Sequence, residues 1–179
     1  MHEAVASALR LSRGAPLKVL EFGSAFGRNL FWLKKEYPHL TLVGAEISGQ
    51  ARELGRSLSA RFGLPVEFAP VKNGRIPYPD GAFDVAFTKF CLEQCPYEYP
   101  SIVRELLRVT QRRVVFLEPM EQTYPLSPRG LLGRLHGFYH NYSRGLYGHL
   151  RRLPQFREAR RLGWAVNPFN EPTLAVLEA

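Results

Sequence analysis

Residues 19–30 read Val19-Leu20-Glu21-Phe22-Gly23-Ser24-Ala25-Phe26-Gly27-Arg28-Asn29-Leu30, and this stretch decides the fold. An apolar run ends in an acid and a glycine-bearing turn, and an amphipathic helix follows at once. A strand that turns so tightly beneath a helix N-terminus leaves a crevice in which backbone approaches a ligand closely. About twenty residues beyond the turn, Leu42-Val43-Gly44-Ala45-Glu46 is a second apolar strand ending in a carboxylate. A carboxylate there accepts hydrogen bonds from ribose hydroxyls. Gly23, Gly27 and Glu46 together predict a site for an adenosine-type nucleotide or cofactor near the start of an α/β domain.

Outward from that motif the periodicity alternates. Val5, Ala8 and Leu9 stand at helical spacing within 3–13, with Gly14 as a stop signal. A strand is expected at 17–22. Phe26, Leu30, Leu33 and Tyr37 trace one face of a helix that Pro38 ends. A strand at 40–46 follows, and Ser48 caps a helix with the face Ala51, Leu54, Leu58 and Phe62 and with Gly63 just beyond. With a third strand at 65–69, the β-α-β-α-β order implies a parallel sheet with right-handed crossovers.

Residues 70–82 form a long loop rich in Pro, Gly and Asn, of the kind that is often functional. A strand at 83–88, a helix at 101–109 and a strand at 113–118 continue the pattern. Residues 131–150 predict one long helix or two, with Leu131, Leu132, Leu135, Phe138, Tyr139 and Tyr142 as the apolar side and Gly137 and Gly145 as interruptions. Residues 154–162 are expected to be helical and to end at Gly163, before closing strands at 164–166 and 173–177. The predicted fold is an α/β Rossmann-like doubly wound sheet, mostly parallel, with a closing antiparallel strand near the C-terminus. Residues 1–179 read as a single domain with a helical lid-like insert at about 121–160.

At 179 residues the chain suits one domain, and 45% hydrophobic with 22% charged residues is the balance of a soluble globular protein. No apolar run approaches the roughly 20 residues of a membrane span. Met1-His2-Glu3 carries no signal-peptide pattern, so a cytoplasmic location is the default expectation. Cys91 and Cys95 are four apart with no second pair, which argues for free thiols rather than a zinc site. The net charge of +8 favours anionic small molecules, nucleic acid or an acidic surface without choosing among them. Arg129, Arg134, Arg144, Arg151, Arg152, Arg157, Arg160 and Arg161 are interleaved with Tyr139, Tyr142 and Tyr147. Such a set grips phosphates and stacks bases, or is a solvated helix face.

In these residues the chain resembles the class I methyltransferases that use S-adenosylmethionine, in their small-molecule-type branch. Glu21 to Gly27 is similar to the family's first motif, and Glu46 to its ribose-binding acid. Ile76-Pro77-Tyr78-Pro79-Asp80-Gly81-Ala82-Phe83-Asp84-Val85 resembles the proline-rich approach to strand four. Leu92-Glu93-Gln94 stands where the branch has a Leu-Glu-His-like segment, and Arg104-Glu105-Leu106-Leu107-Arg108-Val109 resembles the helix before strand five. The resemblance covers roughly 17–120 and, beyond that, the closing strand pair. It implies S-adenosylmethionine as cofactor and methyl transfer to a small-molecule acceptor. The cofactor contacts that it implies are Glu21, Gly23, Ala25, Gly27, Asn29, Glu46, Ile47, Asn73 and Thr88, with Glu21 supporting the turn or the cofactor's ammonium.

Three departures from the pattern stand out. Ala25 replaces the middle glycine of the first motif. Pro70-Val71-Lys72-Asn73 occupies the place of the usual adenine-binding acid, leaving the Asn73 amide for that contact. Thr88-Lys89-Phe90 replaces an Asn-Pro-Pro-Tyr-type motif, which argues against methylation of exocyclic base amines or glutamine side chains.

Methyl transfer from a sulfonium is an in-line displacement, and near-attack positioning supplies up to about 7–11 kcal/mol of its acceleration. A dedicated base is optional. Candidate acceptor-side residues are His136, His140, Glu118, Glu121 and Tyr139. His136 and His140 would share a helical face, as a base and its neighbour, as metal ligands if a third joined, or as surface residues. Glu118 ends strand five at the sheet edge where open α/β folds bind ligands. Two further readings stand beside the small-molecule enzyme. One is an RNA methyltransferase that grips its substrate with the basic C-terminal helices. The other is a non-catalytic cofactor-binding module, motivated by Ala25 and the absent adenine acid.

Overall fold

The computed structural model describes residues 2–11, 14, 16–142, 145–162 and 171–179. Its strands are β1 (Lys18–Phe22), β2 (Thr41–Glu46), β3 (Glu67–Pro70), β4 (Phe83–Lys89), β5 (Thr110–Pro119), β6 (Phe156–Arg161) and β7 (Pro172–Glu178). Its helices are α1 (His2–Ala8), α2 (Arg28–Glu36), α3 (Gly49–Phe62), α4 (Tyr99–Val109), α5 (Pro128–Tyr139) and α6 (Leu146–Arg151). The strands form one sheet in the order β3-β2-β1-β4-β5-β7-β6. The first five are parallel, and β7 lies antiparallel between β5 and β6. This is the Rossmann-like doubly wound sheet with an antiparallel closure that the strand pattern predicts.

The central strands are apolar on both faces because helices cover both. Val19, Leu42, Val85 and Phe87 pack with Val5, Leu9, Leu30 and Leu33 of the α1–α2 side. Leu20, Phe22, Val43 and Ala86 pack with Ile102, Leu106, Leu146 and Leu150 of the α4–α6 side. The loop 71–82 is clamped to α4. Arg108 donates to the carbonyls of Ile76 and Tyr78 and to the Asp80 carboxylate, while Glu105 accepts the Ile76 amide at 2.8 Å.

Ser48 caps α3 through Ala51, and Gly63 closes it at φ 62°, as expected. The predicted α3 face is corrected: Leu54 and Phe62 are exposed, and the helix buries Gly55 instead. A Cβ at Gly55 would lie 2.5 Å from the Phe68 ring, so the helix approaches the sheet too closely for large residues beneath it. Helix α1 stops at Ala8 rather than running to 13, and Phe26 lies in the turn before α2.

Residues 154–162 are not helical; they supply the edge strand β6. Phe156 and Ala159, three apart, both pack against the core because the register shifts between Phe156 and Glu158. That bulge imitates a helical period in the sequence. Exposed Arg157, Arg160 and Arg161 leave the edge poorly suited to further pairing. Gly163 and the expected strand at 164–166 lie outside the described residues. The segment 131–150 resolves into two helices, α5 and α6. On α5 the apolar side, Leu131, Leu132, Leu135, Phe138 and Tyr139, faces outward, and the buried residues are Gly130, Gly133 and Gly137.

Candidate active site

Strand order reverses between β1 and β4, and open parallel sheets bind ligands outside the carboxyl ends of their strands at such a switch point. A cavity of about 730 Å³ opens there. Phe22, Gly23 and Ala25 line it from the end of β1, Ala45, Glu46 and Ile47 from β2, and Val71, Asn73 and Gly74 from beyond β3. The far wall is Phe90, Cys91, Gln94, Cys95 and Glu98 after β4, with Ser101 and Ile102 of α4.

The turn after β1 runs through Gly23 at φ 72°, Ala25 at φ 47° and Gly27 at φ 90°. A Cβ on Gly23 would sit 2.1 Å from the Cys91 sulfur, so glycine is what allows the loop after β4 to close over the turn. Gly27 opens α2, and its own Cβ would lie 2.6 Å from the Phe68 ring. It is therefore a packing glycine and does not line the cavity.

Glu46 organises the floor. Its Oε2 accepts the Ala25 amide at 2.9 Å and its Oε1 the Ser48 amide at 2.8 Å. Each carboxylate oxygen keeps further acceptor capacity toward a ligand. Ile47 beside it is 76% exposed. Lys72 and Arg75 pair across a two-residue hairpin, Asn73-Gly74, whose positive φ angles of 49° and 71° match a type I′ turn. That hairpin carries Asn73 to the cavity.

Behind the turn, buried Glu21 accepts from Asn29 Nδ2, and Asn29 Oδ1 accepts from Lys89 Nζ at 2.8 Å. Among the described residues Glu21 Oε2 has no hydrogen-bond partner. Burial raises the Glu21 pKa to about 8 and lowers that of Lys89. Neither Glu21 nor Asn29 is in the cavity wall.

Glu118 is fully buried at the end of β5, and burial raises its pKa to about 7. Its carboxylate accepts the amide of Cys91 at 3.0 Å and that of Glu93 at 3.4 Å, so it fastens the turn after β4. Thr88, also fully buried, lies beside it and lowers its pKa. Both expected contacts therefore support the wall from behind rather than forming it. His136 and His140 are outside the cavity, on α5 and at its C-cap, with rings 4.3 Å apart. Tyr139 is exposed on α5, and Glu121 borders a depression with Arg134, Leu135 and Phe138. Among the described residues no cluster of three or more His, Cys, Asp or Glu is arranged to hold a metal ion.

Sequence reasoning did not identify the far wall as part of the site. Phe90 adopts φ 52°, which nothing in its identity announces, and this turns Cys91, Gln94 and Cys95 toward the cavity. The two cysteines are free thiols, as expected, and the Cys95 partnership together with burial pushes the Cys91 thiol up.

This arrangement fits an adenosine cofactor with an amino-acid tail. The volume is within the range of small-molecule pockets. Glu46 is a fixed acceptor for hydroxyls and the turn at Gly23 permits close approach, while behind the turn Glu21 Oε2 has no hydrogen-bond partner among the described residues.

Residues 19–113, just over half of the chain, match the family model described as a methyltransferase domain. The demethylmenaquinone methyltransferase of Thermus thermophilus is 28% identical over 155 residues, 81% of this chain and 68% of that protein. The demethylmenaquinone methyltransferase of Deinococcus radiodurans is 28% identical over 127 residues, 70% of this chain but only 50% of that protein. In fold, the chain matches the crystal structure of a SAM-dependent methyltransferase from Methanosarcina mazei with a TM-score of 0.78 at 15% identity, covering 99% of this chain and 97% of that one.

Proposed function

Since the chain belongs to this methyltransferase-domain family, we propose that it methylates an apolar, ring-bearing small molecule that meets the cofactor beside the turn after β4. The chain is an S-adenosylmethionine-dependent methyltransferase with a small-molecule acceptor. The cofactor supplies a sulfonium-bound methyl group for in-line displacement.

In this proposal Glu46 holds the ribose hydroxyls. Ile47 and Asn73 flank the adenine. Gly23 and Ala25 pass under the amino-acid tail, and Glu21 stabilises its ammonium from behind. Phe90, Gln94, Glu98 and Ile102 face the acceptor. What carries the proposal is the Phe90 ring on the acceptor side, with Ile102 and the two cysteines beside it and Gln94, Glu98 and Ser101 as the polar groups of that wall. Glu118 is committed to backbone amides, so the chain works by holding the acceptor in line and excluding water rather than through that carboxylate. The two relatives named as demethylmenaquinone methyltransferases support an apolar ring as the acceptor class.

The test is a turnover assay with methyl-labelled S-adenosylmethionine and reduced demethylmenaquinone, alongside calorimetry of cofactor binding. Label extracted into the organic phase is the expected result. Cofactor binding with no label transferred to that acceptor or to shorter-tailed analogues would remove the acceptor class.

A further inference from the structure

Helix α5 is docked in the reverse of the usual sense. Its buried residues are Gly130, Gly133 and Gly137, while Leu131, Leu132, Leu135, Phe138 and Tyr139 are between 52% and 84% exposed. At 3.6 residues per turn the glycines share one side and the five large residues the opposite one. The glycines are there for close approach. A Cβ at Gly130 would lie 2.0 Å from the Pro125 carbonyl oxygen, and one at Gly137 3.2 Å from a Glu121 carboxylate oxygen. Leu126, just before the helix, is fully exposed and extends the apolar surface.

A contiguous apolar stripe of this kind marks an interaction surface. Charge distinguishes among its occupants. Residues 121–162 hold eight arginines against two glutamates, much of the net charge of +8, although Arg157 and Arg161 are paired with Glu178 and Glu171. Helical spacing puts Arg134 at one border of the stripe and Arg129, His136 and His140 at the other. Arg134 is fixed at its border by donating to the Tyr124 carbonyl at 2.7 Å.

We propose that α5, with Arg129 and Arg134 at the borders of its stripe, forms an interfacial binding surface for an anionic phospholipid bilayer. The stripe lies among the acyl chains and the guanidiniums meet the headgroup phosphates. A second copy of the chain fits less well, since pairing two such surfaces brings like-charged arginines together. RNA would satisfy the arginines but leave the leucine stripe in water. No described helix is long and apolar enough to cross a membrane, and the proposed attachment is to one face of the bilayer. Helix α5 follows the carboxyl end of β5, and the cavity opens at that same edge of the sheet.

The experiment is vesicle co-flotation of the full chain without cofactor or acceptor, so that its outcome is separate from the acceptor proposal. Vesicles of phosphatidylcholine are compared with vesicles in which about a third of the lipid is phosphatidylglycerol. Binding is expected to the anionic vesicles, to fall with added salt, and to weaken by about tenfold or more in the variant L131S/L135S/F138S. These positions are exposed, so the variant keeps its fold, as circular dichroism and cofactor calorimetry check. Failure of the wild type to float with anionic vesicles overturns the proposal, as does equal flotation of the variant. A stable dimer that the variant converts to monomer, without flotation of either, assigns the stripe to a second copy. Retention on RNA that the variant leaves intact, again without flotation, assigns the arginines to nucleic acid.

Discussion

Glu46 Oε2 accepts the backbone amide of Ala25 at 2.9 Å, joining the end of β2 to the turn after β1 across twenty-one residues of chain. One carboxylate thus shapes the turn and offers the hydroxyl-binding edge of the cavity. Glu46→Ala removes both functions and is expected to weaken S-adenosylmethionine binding by about 1.5–3 kcal/mol, the range for hydrogen bonds to a charged group. Glu46→Gln keeps one acceptor oxygen and is expected to fall between. Calorimetry on folded variants decides this, and unchanged affinity in Glu46→Ala would move the ribose elsewhere.

Ala25 sits at φ 47°, a left-handed conformation that costs a residue with a Cβ roughly 1–2 kcal/mol. Ala25→Gly relieves that strain and gives back part of it as unfolded-chain entropy. The expected result is a stability change between zero and a gain of about 1 kcal/mol, with cofactor affinity equal or better. Gly23→Ala is the contrast: its new methyl meets the Cys91 sulfur, so both stability and affinity should drop. Chemical denaturation of the two variants separates a strained turn from a packed one.

Arg108 ties the proline-rich loop to α4, reaching Asp80 at 2.7 Å and Glu105 at 2.6 Å as well as two carbonyls of the loop. Asp80 is exposed and contributes little. Glu105 is buried and would be left without its main partner. Arg108→Ala is therefore expected to cost about 2–4 kcal/mol. Arg108→Lys, which cannot form the fork, should recover less than half. A loss confined to a few tenths of a kcal/mol would show that the loop is held by packing alone.

These cases show where legibility in the sequence ended. The strand-turn-helix at 19–30 and the acid at Glu46 were readable because periodicity and glycine act locally. The conformation of Phe90 and the commitment of Glu118 to the amides of Cys91 and Glu93 were not, since a carboxylate at a strand end serves a ligand or a neighbouring loop with the same residue pattern. For α5 the spacing of the apolar side was legible, but not that Gly130, Gly133 and Gly137 form the docking face, since a glycine inside a helical pattern reads as an interruption. In β6 a bulge gave strand residues the spacing of a helix.

Glu21 ties the stability of the fold to pH. Its folded pKa of about 8 lies above the ordinary value of 4.5, first because of burial, against which Asn29 and Lys89 act in the other direction. Between those two values the folded chain holds a proton that the unfolded chain has lost, so stability falls as pH rises through that window. Glu93 and Glu118, both raised to about 7 by burial, act in the same direction. Glu105 and Glu178, both lowered by arginine partners, favour the folded state above the ordinary carboxylate range and lose that contribution only in acid. Stability should therefore be highest near pH 5 and decline toward pH 8. Glu21→Gln keeps an acceptor for Asn29 and removes the ionisation, so it should raise stability at about pH 8.5 by roughly 2–4 kcal/mol and flatten the profile, with the slope from Glu93 and Glu118 remaining. A ligand ammonium near Glu21 would favour its charged form. Cofactor binding near pH 7 should then release a proton in the wild type and none from this site in the variant. Calorimetry in buffers of different ionisation enthalpy reads that proton directly. Equal release by the two proteins would place the amino-acid tail away from Glu21, and melting profiles that coincide across the pH range would show that this carboxyl does not resist ionisation.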